Sequence, residues 1–318
     1  MNRQIEVLGL GCIAVDDLLY VDRYPQADEK IPVLQQDRQC GGLTGIALMA
    51  AARLGAACAY GGALGENELS QFVLGQLEAE GVATSTVCQI AHAQPIHSTI
   101  VVDQTANTRN IFYDLRGVES LPSGRADQQV ICNLKALLVD HYSVEAQTRA
   151  AAIARQASVP VVADFECSDV TGFDSLMSIV DHLIVSQDFA MKLTAETTPA
   201  AATRALWTDD REVVVVTCGA EGCWTITRAT YPEVLLRPTI EVDVVDTTGC
   251  GDVFHGAYTA ALVRGRGVIE AIDFASVAAA IKATRRGAQQ GAPYLHEVDG
   301  LLDQVRKEKP TWGWQGKT

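Results

Sequence analysis

The stretch VDTTGCGDVFHGAY runs from Val245 to Tyr258. Gly249 and Gly251 flank Cys250, and Asp252 follows at once. The residues before it read as the end of a strand, and those after it as a helix with an apolar face. Glycines at such a junction let the backbone approach a ligand closely. Amides at a helix start lack intrahelical acceptors, and the helix dipole adds positive potential, so together they attract an anion. Phosphoryl transfer needs fixed donors of that kind around the migrating oxygens. Asp252 falls in the first turn, where the dipole favours an ionised carboxylate able to take a proton from an attacking hydroxyl. The plainer reading gives Asp252 to the dipole alone, with Thr247 or Thr248 as cap. The Gly-Cys-Gly setting between strand and helix favours chemistry.

Bulk properties narrow the class. The chain has 318 residues, 48% of them hydrophobic but only 6% aromatic. Alanine, valine and leucine dominate, which suits helices packed on a parallel sheet. The net charge of −14 repels nucleic acid and anionic membrane, so neither is an expected partner. An anionic substrate would need a local positive pocket. The nine cysteines are scattered with no C-x-x-C pair, which argues against zinc and against a disulfide framework. MNRQIEVLGLGC shows no signal-peptide core, and the most apolar stretch is interrupted by Arg53. A cytoplasmic protein is the expectation.

Strand-like runs alternate with helical ones along the chain. Ile5–Gly11, Ala57–Leu64, Ala136–Asp140, Val159–Phe165, His182–Ser186 and Glu212–Gly219 read as strands. Thr44–Gly55, Glu68–Gly81, Glu145–Ala157 and most of Gly251–Arg285 read as helices, the last broken at Arg264–Gly267. The pattern predicts an α/β fold with a doubly wound, mostly parallel sheet. Residues 1–318 are expected to form one such domain. Segments 13–39 and 96–113 carry strands without helices, and IHSTIVVD and NTRNIFYD suggest a hairpin about Gln104–Asn107. These predict a small antiparallel sheet standing off as a lid. The tail EKPTWGWQGKT reads as loose, with tryptophans able to dock.

DTTGCGD resembles the D-T-x-G-A-G-D signature of the ribokinase-like, or phosphofructokinase-B, sugar kinases, with Cys250 where alanine is usual. GLGCIAVDDLLYVDRYPQADEK is similar to that family's first strand and lid, and CGGLTGIALMAAARLG to its second glycine motif. GALGENELSQFVLGQLEAEGV is similar to its G-x-x-G-x-D-x-x-G helix, with Asn67 and Ser70 in place of aspartate and glycine. FHGAY and FASVAAAIKATRRGAQQGAP look close to ketohexokinase-like and sulfofructose-kinase-like members.

The resemblance implies transfer of the γ-phosphoryl group of ATP to a sugar hydroxyl, a ketohexose-like acceptor being favoured. It implies Asp252 as base and the amides of Gly249, Cys250 and Gly251 as anion hole. Asp16, Asp28, Gly42, Ile46 and Arg109 match sugar-side positions. Ser186, Thr217, Gly219, Gly222, Ala279 and Lys282 match nucleotide-side positions. Asp246 and Thr248, with backbone near Arg286–Gly291, match a potassium site, and Glu166 is a candidate for the magnesium waters. Independently of the resemblance, a two-stranded lid has unsatisfied edges and an apolar face that a second lid would cover, so a homodimer through the lid is expected.

Departures matter. Leu43 and Ile46 stand where many members carry asparagines, which points to a different sugar outline. Ser186-Gln187-Asp188-Phe189 replaces the N-x-x-E motif. Lys282, Arg285 and Arg286 offer charge to an anionic acceptor or merely complement helix ends. Three rivals stay open: a nucleoside kinase of the same fold, a sugar or nucleotide binder without turnover, and a dinucleotide enzyme. The last rests on Gly9-x-Gly11-x-x-Ala14, but VDDLLYVDRYP after it does not read as the required helix. No Walker A string occurs.

Overall fold

A computed structural model describes residues 4–106, 108–122, 128–308 and 312. Among these, eight strands form the larger sheet. Its spatial order is Leu235–Arg237, Cys223–Thr227, Val213–Thr217, His182–Ser186, Val161–Asp164, Ala136–Val139, Val7–Leu10 and Cys58–Tyr60. The last six in that order run parallel, and the first two are added antiparallel. Each parallel strand is a short valine-, leucine- or alanine-rich run, as burial on both faces requires.

Alternate residues feed two separate cores. Val7, Leu138, Val162, Ile184 and Val215 point to one face. That face is covered by helices Leu43–Arg53, Cys250–Val263 and Val268–Ala283. Leu8, Leu137, Val139, Ala163, Val185 and Val216 point to the other, under the helices Val144–Gln156, Phe173–Ile179 and Gln187–Thr194. Period-two alternation within a continuous apolar run therefore builds two layers at once. Trp312 packs against the first core, whereas Trp314 lies outside the described residues.

A smaller sheet has the order Gln35–Gly41, Ala14–Val21, Ile96–Asp103, Thr108–Asp114. Its two hairpins are antiparallel, and the expected turn at Gln104–Asn107 joins the second, with Asn107 outside the described residues. The structure adds a parallel seam, in which Ala14–Val21 pairs with Ile96–Asp103 in register over its whole length. A parallel pair needs a long crossover. Here the chain supplies it by passing through the larger sheet and back. Asn67 and Ser70 have local work: Asn67 caps the helix Glu68–Ala79 by accepting from the Ser70 amide at 2.9 Å. The buried Ser70 hydroxyl accepts from the Gly65 amide at 3.2 Å.

Helix Cys250–Val263 crosses Leu43–Arg53 at Gly256. A Cβ there would lie 2.2 Å from the Ala47 carbonyl oxygen and 2.9 Å from the Ala50 Cβ. The two backbones meet because no side chain separates them. Gly256→Ala is expected to push them apart and cost about 1–3 kcal/mol. A urea denaturation midpoint equal to that of the unchanged protein would contradict this crossing.

Candidate active site

The carboxyl ends of the parallel strands deliver acidic and polar residues to one edge, where ligands of open α/β sheets bind. Asp140 follows Ala136–Val139, Asp164 ends the next strand with Glu166 just beyond, and Ser186 and Thr217 end the two after that. Asp140 is fully buried. It accepts hydrogen bonds from the Cys12 amide at 2.7 Å, the Thr44 hydroxyl at 2.9 Å and the Tyr142 amide at 2.8 Å. Burial still pushes its carboxyl up to about 6. The residue ties the first strand's turn to the helix that starts at Leu43.

The stretch after Val245 is held by one side chain. Asp246 accepts from the Thr248 amide at 2.8 Å and from the Gly287 amide at 2.9 Å. Burial raises its carboxyl, but these amides, the Thr248 hydroxyl and the Lys282 charge outweigh that and leave it lowered. Gly249 caps the next helix at φ 77°, and a Cβ on it would sit 2.5 Å from the Ala288 Cβ. Conformation and space both demand glycine there. The Cys250 amide closes a turn to the Thr247 carbonyl at 3.2 Å, and its thiol faces the Ala279 carbonyl at 3.7 Å. The amides of Gly251 and Asp252 head the helix, where no preceding turn supplies acceptors. A Cβ on Gly251 would meet nothing within 4 Å, so open space lies in front of it.

Asp252 stands at this helix head. Burial pushes its carboxyl well above the usual range, the charges of Asp164, Glu166 and Asp16 push it further, and Lys282 opposes them. Asp164 is raised in the same way, by burial first and then by Glu166 and Asp140. His255 lies between these elements. One ring nitrogen is 2.8 Å from the Gly251 carbonyl and 3.2 Å from Asp164, and the other is 3.0 Å from the Ile184 carbonyl. Burial lowers its pKa. The His255 ring thus lies between the helix head and the sheet, with a carbonyl of each within hydrogen-bond distance of its nitrogens. Sequence reading missed Asp140, Asp164 and His255; the available signal was an acidic residue directly after each of two apolar runs.

Two clefts flank the 246–251 stretch, and Thr247 lines both. One, of 580 Å³, is walled by Thr217, Gly219, Gly222, Gly251, Ala279 and Ala283, which brings together most of the expected nucleotide-side positions. The other, of 540 Å³, lies under the smaller sheet and includes Leu18, Gln39, Ile100, Arg109, Thr248 and Arg286. Arg109 reaches across it and donates to the Thr248 hydroxyl at 2.8 Å.

The other expected positions are distributed as follows. Asp16 is raised by burial, and its hydrogen-bond partner is the Ser98 hydroxyl. A Cβ on Gly41 would lie 2.2 Å from that carboxylate, and Gly42 begins its helix at φ 85° against the backbone of Ile13. Ile46 is fully buried in the core, and Leu43 packs on Cys12, Ala14 and Ile96. Asp28 is exposed at φ 63° between the lid strands. Ser186 caps a helix by accepting from the Phe189 amide at 3.2 Å. Asp16, Asp28, Gly42, Ile46, Glu166, Ser186 and Asp252 line neither cleft. Lys282 turns its ammonium away from both, toward backbone carbonyls.

This arrangement has a known family context. The pfkB family of carbohydrate kinases matches residues 4–295, and the chain belongs to that family. It is an ATP-dependent sugar phosphotransferase. A ribokinase of Haemophilus influenzae is 28% identical over 309 residues, covering 92% of this chain and 97% of that protein. Fructokinase-1 of Zea mays is 24% identical over 313 residues, covering 83% of this chain and 88% of that one. An Agrobacterium tumefaciens protein provisionally assigned as a ribokinase superposes with a TM-score of 0.87 at 29% identity, covering 96% of this chain and 99% of that one. No helix among the described residues is long and apolar enough to cross a membrane.

Removing the Asp140 carboxylate strands the buried Cys12 amide, the part-buried Tyr142 amide and the Thr44 hydroxyl. Asp140→Ala should cost about 1–3 kcal/mol in chemical denaturation. An unchanged midpoint would show that water replaces the carboxylate and that the strand–helix tie is not built as described.

Proposed function

We propose that the enzyme moves the γ-phosphoryl group of ATP to a hydroxyl of a free sugar, ketohexose or pentose, with Asp252 as general base. The observation that carries this reading is the Asp252 carboxyl in the first turn of the helix that begins where the stretch between the two clefts ends. The nucleotide would occupy the cleft walled by Thr217, Gly219, Gly222 and Ala279, with its γ-phosphate at the helix head. The acceptor hydroxyl gives its proton to Asp252 as its oxygen bonds to phosphorus. The bond to the bridging oxygen breaks, and ADP leaves with that electron pair. The amides of Gly249, Gly251 and Asp252 would offset charge on the transferred oxygens, that of Cys250 being turned to the Thr247 carbonyl.

Other features support the acceptor side. Asp16, packed against Gly41 and bonded to the Ser98 hydroxyl, would be the acceptor for a sugar hydroxyl. Gln39 is buried in the lid-side cleft, and its amide nitrogen has no protein acceptor. Such a donor is suited to a substrate oxygen. Apolar Leu43 and Ile46 stand where asparagine-bearing relatives have hydrogen-bonding groups, but Ile46 is buried in the core and neither residue lines the cleft. The smaller sheet would act as lid and exclude water from the γ-phosphate. Its edge strand exposes Ile111, Phe112 and Tyr113, a face suited to pairing with a second copy.

Magnesium fits the site. Asp16, Asp164, Glu166 and Asp252 concentrate negative charge where a triphosphate would lie. No group of three or more such side chains forms a protein-only metal site among the described residues. An ion held mainly by the nucleotide, with Glu166 reaching its waters, matches that donor set. When bound it would neutralise phosphate charge.

The test is ADP release with ATP and magnesium against ketohexoses, aldopentoses, sugar acids, sulfonated sugars and nucleosides. A free sugar should give the strongest rate, and Asp252→Asn should lower it by about 100- to 10,000-fold. A nucleoside as best acceptor, ATP binding with no turnover, or an active Asp252→Asn variant would each overturn the reading. The raised carboxyl also sets a pH dependence. The base form is lost as pH falls, so turnover should decline on an acid limb lying above the ordinary carboxylate range. A rate flat down to about pH 4 would contradict it.

A further inference from the structure

The potassium site implied by the resemblance does not fit this chain, because a side chain already fills it. Lys282 is 0% exposed. Its ammonium donates to the Asp246 carbonyl at 2.8 Å and to the Arg285 carbonyl at 3.1 Å. Both carboxylate oxygens of Asp246 are meanwhile taken by the amides of Thr248 and Gly287. The lysine stem lies along Gly291, where a Cβ would sit 2.6 Å from its Cδ and 3.0 Å from its Cε. The space between the 246–248 stretch and the 287–291 turn is therefore a cradle shaped to this side chain. A potassium ion placed there would compete for the same carbonyls and would face a buried like charge.

We infer that Lys282 is a built-in monovalent cation that ties the 246–249 stretch to the 285–287 turn and positions the helix head, so that the enzyme needs no potassium. The idea rests on the kinase reading for its functional meaning, but the absence of ion binding can be measured without an acceptor. Lys282 acts through the backbone it holds, and so is a positioning residue.

The experiment compares the full chain in potassium chloride and in choline chloride at equal ionic strength. It reads melting temperature, ATP affinity by calorimetry and, once an acceptor is known, kcat and KM. The unchanged protein should give the same values in both salts. Lys282→Ala empties the cradle; its ATP affinity in choline chloride should fall by about tenfold and recover when potassium or ammonium is added. Lys282→Met keeps the stem in place and loses the charge, so potassium should not rescue it. A potassium-specific rise in the melting temperature, ATP affinity or turnover of the unchanged protein would overturn the inference. So would a Lys282→Ala variant that performs equally in both salts. If the variants do not fold, the salt comparison on the unchanged protein still decides. A protein that binds no ATP in either salt would sink the kinase reading instead, while its melting temperatures would still report on the ion.

Discussion

The site depends on the Asp246 carboxylate and the two amides it joins. One belongs to Thr248, two residues on; the other belongs to Gly287, at the far end of the neighbouring helix. A chain passing from an extended run into a helix has no reason of its own to hold a fixed path. Two short hydrogen bonds from one ionised side chain impose one, since charged acceptors bind amides more strongly than neutral ones. With that path fixed, Gly249 can lie against Ala288, the helix Cys250–Val263 can begin where it does, and Thr247 can face both clefts. Arg109 then finds the Thr248 hydroxyl within reach, which gives the smaller sheet its own contact with the same few residues.

The electrostatics follow from this geometry. An acidic protein with buried Asp140 and Asp164 and half-buried Asp252 gathered at one sheet edge is a poor host for a triphosphate by charge alone. Local positive potential has to come from fixed sources. The helix-head amides are one, Arg109 and Arg286 beside the lid-side cleft are others, and the Lys282 ammonium stands behind the loop. His255, buried between helix head and sheet, links Gly251 to the strand that ends at Ser186.

Much of the layout was legible in the sequence. Continuous apolar runs bounded by glycine or acidic residues marked the strands of the larger sheet, because burial on both faces leaves little room for other residue types. The glycines around Cys250 marked the helix head, since only glycine takes the φ that Gly249 adopts so close to Ala288. Pairing between distant segments was not legible. Nothing local in Ala14–Val21 or Ile96–Asp103 shows that they lie side by side and parallel, because that depends on where the intervening chain returns. Asp140 and Asp164 looked like strand-end punctuation, and only the packing shows one fully enclosed and the other sharing its field with Asp252. Motif position did not show that Ile46 would be a core side chain, Asp28 an exposed loop residue and Ser186 a helix cap, because each of those settings depends on packing.

Cys250 shows what a small substitution can settle. Its thiol faces the Ala279 carbonyl, and burial raises its pKa, with the charge of Lys282 only partly opposing that. The sulfur therefore stays protonated and is already engaged. Thiolates, not thiols, attack electrophiles and peroxides. A thiol held toward its protonated form at the edge of the cleft is a weaker target for oxidants and alkylating agents than a thiolate there would be.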